Sequence, residues 1–299
     1  MANDAPLRGV YVPIITPFAS DGRVALDALE ALAHTYLDDG VAGLVPLGTT
    51  GETPLLDHDE QAAVVDTCAR VCRERHAPMI VGVGTNNTRT TIAATQALAA
   101  IPEATAALCV VPYYLRPGQG GIVAHFEAIA EASPVPIVLY NIPGRTGRLL
   151  EPDGLLRLAG TPNIVGVKQA VGSLDDGSLR LLAEAPPGFA VLGGDDHLMF
   201  PLVLLGAAGA ISAAAHVCTR RFVEMTECGL AGKVDEGRAH HEALLGVSYA
   251  CFAEPNPAVF KGVLHARGLI PTPDVRLPLT NASPAAVQRA LDAISAAGG

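Results

Sequence analysis

Residues 135–168 read VPIVLYNIPGRTGRLLEPDGLLRLAGTPNIVGVK. Two short apolar runs, 135–141 and 164–168, bracket a connection that carries Pro, Gly and charge. Neither run alternates polar with apolar residues, so each reads as a parallel strand buried on both faces. Outward from this pair the pattern recurs at 9–16, 41–47, 79–83, 107–111, 190–193 and 206–212. The eight starts lie about 28 residues apart on average, the length of a strand–helix repeat. Helical periodicity fills the intervals. Leu26, Leu29, Ala33, Tyr36 and Leu37 make one apolar stripe, and Ala62, Val65, Ala69 and Cys72 make another. Eight even units favour an α/β fold, a closed (β/α)8 TIM barrel, over a doubly wound sheet. A dinucleotide-binding sheet would carry a Gly-rich turn after its first strand, where this chain has Thr16-Pro17-Phe18.

The 299 residues suffice for one barrel and a small addition. After about 230 the strand pattern stops, and 234–253, 257–267 and 283–297 read as helices. Ser283 followed by Pro284 is an N-cap with Pro at the first helical position. The expected organisation is a catalytic barrel over 1–230 and a C-terminal helical extension over 231–299. A hydrophobic fraction of 49% against 17% charged residues describes a chain that buries a large core. The net charge of -10 argues against nucleic acid and anionic membranes as partners. It does not exclude a small anion, because a local Arg outweighs a distant field. The start has no basic stretch followed by an apolar one, and no apolar run suits a bilayer, so a cytoplasmic protein is expected. Six scattered Cys, with no second pair or His at ligand spacing, read as idle thiols and not as a metal site.

A parallel barrel places its chemistry at the C-terminal ends of its strands. The chain has only three Lys, at 168, 233 and 261, and Lys168 alone ends an apolar strand. Burying an ammonium is costly, so the residue needs a reason. Either it pairs with a carboxylate and fastens the barrel, or it is a nucleophile whose amine, stripped of water, attacks a carbonyl. Tyr140 lies one strand earlier and is either a core phenol or a proton donor beside that amine. Gly48-Thr49-Thr50-Gly51-Glu52 offers backbone N–H groups and two hydroxyls suited to a carboxylate, or else is an ordinary turn. It lacks the Gly-Lys-Ser/Thr ending of a nucleotide loop. Arg145, after Pro143-Gly144, is a solvated loop residue or a carboxylate clamp.

Taken together, these stretches resemble the dihydrodipicolinate synthase / N-acetylneuraminate lyase family of pyruvate-dependent class I aldolases. The likeness runs through Thr16-Pro17-Phe18, Gly48 to Glu52, Pro112-Tyr113-Tyr114, Tyr140 to Gly147 and Lys168, then Gly194-Asp195-Asp196, Gly209 to Ser212 and Glu254-Pro255-Asn256-Pro257. Its synthase branch is the nearer likeness. That branch implies condensation of pyruvate with L-aspartate 4-semialdehyde on the path to diaminopimelate and lysine, with neither metal nor cofactor. It further implies a Schiff base on Lys168 and a proton relay of Thr49, Tyr140 and Tyr114, with Tyr114 reaching in from a neighbouring subunit. Thr49 and Thr50 would hold the pyruvate carboxylate, Arg145 the carboxylate of the aldehyde, and the backbone of Ile211 would line the pyruvate site. The assembly implied is a homotetramer, a dimer of dimers.

Two other activities stand beside this one. A related aldolase or dehydratase would act on a sugar acid or hydroxy-oxo acid, and a non-catalytic barrel would only bind a small molecule. Arg145 speaks for the synthase, since a long polyhydroxylated substrate would want hydroxyl partners there. Departures from the synthase pattern follow Lys168, where Gln169-Ala170 replaces the acidic residue and Thr common in that branch. In the inhibitory lysine pocket of the synthases His58 is retained, but Thr90 and Gln61 stand at the places of a Glu and a second His. Weak or absent inhibition by L-lysine is therefore expected.

Overall fold

The computed structural model describes residues 7–298. The strands are β1 (Gly9–Val12), β2 (Gly43–Leu44), β3 (Met79–Gly82), β4 (Ala104–Val110), β5 (Ile137–Asn141), β6 (Ile164–Gln169), β7 (Ala190–Gly193) and β8 (Gly209–Ile211). The α-helices are α1 (Leu26–Asp38), α2 (His58–Arg75), α3 (Thr88–Ala97), α4 (Gln119–Ala132), α5 (Pro143–Thr146), α6 (Pro152–Ala159), α7 (Asp176–Glu184), α8 (Met199–Leu204), α9 (Thr219–Leu230), α10 (Val234–Cys251), α11 (Ala258–Ala266) and α12 (Pro284–Ala296). The strands close into a parallel barrel in chain order, and α10 to α12 follow it as a helical extension. The eight-unit spacing is thus the spacing of a closed (β/α)8 barrel.

Packing separates the chain into two compact units. One comprises residues 80–211 with 7–9, and the other comprises 10–79 with 212–298. In the first, β4 to β8 pair side by side. There α4 packs against α3 and α6, and α6 against α7. Phe126, Ile129, Leu139, Leu155 and Leu192 are fully or almost fully buried there. Each such side chain contributes about 1.5–3 kcal/mol by leaving water.

In the second unit α1 packs on α2, α10 on α9 and α12, and α11 on α12. Gly43 allows β1, β2 and β3 to approach. A Cβ there would lie 2.3 Å from the Pro78 carbonyl oxygen and 2.9 Å from the Tyr11 ring. The α2 stripe is broader than its sequence pattern suggests. Val64, Cys68 and Val71 are buried, whereas Ala62 is exposed. Ser283 caps α12 as expected, accepting a hydrogen bond from the Ala286 N–H at 3.2 Å.

Strand limits differ from the apolar runs for a physical reason. The run 41–47 stays largely buried past the assigned strand, with the Val45 N–H still donating to the Val12 carbonyl at 2.8 Å, and Leu47 turns the chain at φ +57°. Burial extends further along the run than the regular strand does, which accounts for its apolar character. All six cysteines are free, and five are buried. Among the described residues no helix is long and apolar enough to cross a membrane.

Candidate active site

In the first unit Tyr140 and Lys168 are direct partners in the register of β5 and β6. Both are buried, at 5% and 6% exposure. The Lys168 ammonium stands 4.5 Å from the centre of the Tyr140 ring, in cation–π range. Among the described residues no carboxylate is paired with it. The fastening role left open for Lys168 therefore has no partner to carry it. Space for its stem comes from Gly194, just after β7, where a Cβ would lie 3.1 Å from both Cγ and Cε of Lys168.

The next residue on each strand serves a different purpose. Asn141 donates its side-chain amide to the Leu150 carbonyl and to Gln169 Oε1, both at 3.1 Å. Gln169 in turn donates to the Ser178 hydroxyl. A neutral amide that accepts on one side and donates on the other completes this buried chain. That accounts for Gln169, the departure after Lys168, as part of a network tying β5 and β6 to α7.

Arg145 lies on α5, whose single turn begins with Pro143 and ends at Gly147 in the left-handed region. Its side chain is exposed and borders a cleft of about 550 Å³ with Tyr113, Tyr114, Arg116 and Gly147. Tyr114 is 87% exposed and holds φ +70°, a conformation few tyrosines adopt. Ile211, the last residue of β8, is fully buried.

The second unit carries the Gly48 to Glu52 loop. Thr49–Gly51 form a single 3₁₀ turn. This turn uses the N–H groups of Gly51 and Glu52, which bond the carbonyls of Gly48 and Thr49, so the supply of backbone donors is smaller than expected from the sequence. The loop is pinned by hydroxyls: Thr53 donates to the Gly48 carbonyl and Thr16 to the Gly51 carbonyl. Thr50 is buried, and its Oγ1 accepts a hydrogen bond from the Asn256 side-chain amide at 3.0 Å.

Glu52 has a part that reading the sequence missed. Its side chain and that of Lys261 are both fully buried and form an ion pair. Lys261 also donates to the Asp274 carbonyl, and Glu52 accepts the Arg276 N–H. Burial pushes the Lys261 ammonium down to about 8, against the pull of the Glu52 carboxylate. Lys261 lies in the helical stretch AVFKGVLHA, and nothing local signals a partner 209 residues away. Asn256 had been legible only as part of a motif. Among the described residues there is no group of three or more His, Cys, Asp or Glu that could hold a metal ion.

A model of the Dihydrodipicolinate synthetase family matches residues 6–297. The chain belongs to that family. It is 40% identical over 290 residues to a protein of Neisseria gonorrhoeae named 4-hydroxy-tetrahydrodipicolinate synthase, covering 96% of this chain and 98% of that one. Among solved structures it is similar to the chloride-inhibited dihydrodipicolinate synthase from Acinetobacter baumannii complexed with pyruvate. The TM-score is 0.92 at 38% identity, covering 97% of this chain and 99% of that one. It is also similar to the enzyme from Cyanidioschyzon merolae with lysine bound, with a TM-score of 0.92 at 35% identity over 97% of this chain and 98% of that one. Membership over nearly the whole chain marks it as an aldolase-type lyase of this family.

Proposed function

We propose that the chain condenses pyruvate with L-aspartate 4-semialdehyde to 4-hydroxy-tetrahydrodipicolinate, a step of lysine and diaminopimelate biosynthesis, through a Schiff base on Lys168. The observation that carries this reading is the buried, carboxylate-free Lys168 amine against the Tyr140 ring at the end of β6. Lys168 attacks the pyruvate ketone, and loss of water gives an iminium. The iminium withdraws electrons and acidifies the pyruvate methyl, whose proton leaves to give an enamine. The enamine carbon attacks the aldehyde carbon, and the aldehyde oxygen takes up a proton as the Lys168 iminium re-forms. The amino group brought by the semialdehyde then attacks the iminium carbon, closing the ring as a cyclic imine and expelling the Lys168 amine.

Tyr140, Thr49 and Tyr114 relay these protons, Thr49 and Thr50 hold the pyruvate carboxylate, and the Ile211 backbone lines its pocket. The Arg145 guanidinium, exposed in its cleft, receives the carboxylate of the second substrate. The 87% exposure of Tyr114 supports a homotetramer of tight dimers in which this phenol enters a neighbour's site. A cytoplasmic location suits a biosynthetic enzyme of this kind.

The test is to treat the protein with pyruvate and borohydride, find the adduct by mass spectrometry, and follow pyruvate loss with and without the semialdehyde. An adduct on Lys168, with turnover only when the semialdehyde is present, is the expected result. An adduct without turnover moves the second substrate to a sugar acid or hydroxy-oxo acid. No adduct removes the Schiff-base mechanism.

A further inference from the structure

We propose that Asn256 is a positioning residue for pyruvate: its side-chain amide donates to Thr50 Oγ1 and thereby commits the Thr50 hydroxyl proton to the substrate carboxylate. This rests on the reading of Thr50 as a carboxylate binder. A threonine hydroxyl has one proton and two lone pairs, and a carboxylate only accepts. With a lone pair of Thr50 Oγ1 occupied by the Asn256 N–H at 3.0 Å, the hydroxyl proton is left to donate. The opposite orientation of the amide would draw that proton to Asn256 Oδ1 and present lone pairs to an anion.

The surroundings favour the donating orientation. Among the described residues Asn256 Oδ1 is buried and has no hydrogen-bond partner. Reversing the amide would place the NH₂ there, leaving two buried donors unsatisfied in place of one acceptor, and each such group costs about 1–3 kcal/mol.

The fold also fixes where this amide stands. Asn256 lies just before α11, and Lys261 on α11 is ion-paired to Glu52, two residues beyond Thr50. The loop and the start of α11 are therefore joined twice. The ion pair sets their separation and the amide sets the direction of the hydroxyl. Neither Asn256 nor Lys261 needs to touch substrate. Both lie on the helical extension, which gives that region a part in catalysis besides stability.

The test is a double-mutant cycle of Asn256→Ala and Thr50→Val. It is read as the pyruvate concentration giving half-maximal borohydride trapping on Lys168, with the KM for the semialdehyde and the melting temperature measured alongside. Asn256→Ala should raise half-saturating pyruvate about tenfold, the loss of one well-aimed hydrogen bond to an anion, and leave the semialdehyde KM nearly unchanged. In the Thr50→Val background the same change should add less than about twofold, because the group it acts through is gone. Additive effects overturn the proposal, as do equal rises for both substrates or no rise at all. If Asn256→Ala lacks a cooperative melting transition, the uncharged and nearly isosteric Asn256→Leu, which also removes the donor, is measured in its place, with the same outcomes expected. Wild-type protein that forms no adduct overturns the aldolase reading and this proposal together. A wild-type adduct with unmoved variants overturns this proposal alone.

Discussion

On the proposed reading Arg145 and Lys168 serve different substrates, so their variants should fail differently. Arg145→Ala should leave pyruvate trapping on Lys168 intact and lower kcat/KM for the semialdehyde by roughly tenfold or more, the worth of a charge-assisted bond. A parallel loss of trapping would place Arg145 in the pyruvate site instead. Regulation is also a residue-scale matter. Gln61, on the first turn of α2, donates its amide to the carbonyls of Thr53 and Leu56 in the segment before the helix, so it is already engaged, and Thr90 is exposed and uncharged. A cationic effector meets no carboxylate at either position, and L-lysine should inhibit weakly or not at all. Half-maximal inhibition at submillimolar lysine would refute this. Lys168 was legible in the sequence because an ammonium inside an apolar strand is costly and therefore informative. The Glu52–Lys261 pair was not, because each partner lies in a setting where a charge is ordinary, a loop for one and a helix for the other.

Among the elements, the turn after β8 is held by a histidine. His216 accepts the Ile15 N–H on Nε2 at 3.1 Å and donates from Nδ1 to the Ala213 carbonyl at 2.7 Å, which requires the neutral ring. Burial pushes its pKa down to about 4 from an ordinary value of 6.5. The unfolded chain therefore binds the extra proton first as pH falls through 6.5, and stability declines from there until about pH 4, by on the order of 3 kcal/mol. Denaturant midpoints of the wild type between pH 7 and 4.5 should fall more steeply than those of His216→Gln, and parallel curves would contradict the assignment. The cap of α12 makes a smaller prediction. Ser283→Ala should lower stability by about 1 kcal/mol in urea, since Ser283 also donates to Glu254. Strand number and spacing, and this cap, could be read in advance because each has a local cause. The limits of β2 and β8 could not, because buried loop and buried strand draw on the same apolar residues.

For the whole molecule, the exposure of Tyr114 bears on assembly. If this phenol completes a neighbour's site, Tyr114→Phe and Lys168→Ala are defective in different subunits of one dimer. Mixed under subunit exchange, two nearly inactive variants should recover about a quarter of wild-type turnover, since half the dimers are hybrids with one intact site. A mixture no better than its components would mean that Tyr114 acts within its own subunit or not at all. The barrel itself was legible from its regular repeat. Its separation into two compact units, each built from distant parts of the chain, was not, because a repeat reports neighbours along the sequence and is silent on long-range packing.

The Asn256–Thr50 bond spans 206 residues, and this has a consequence for biosynthesis. A ribosome adding 5–20 residues per second makes Asn256 on the order of 10–40 s after Thr50. Throughout that interval the nascent chain already holds Gly48 to Glu52 and later gains Lys168, yet the Thr50 hydroxyl has nothing to aim it. If Thr50 holds the pyruvate carboxylate as proposed, that pocket stays incomplete until Asn256 has been made. On that reading the order of translation would delay capture of pyruvate at Lys168 until both ends of this hydrogen bond exist.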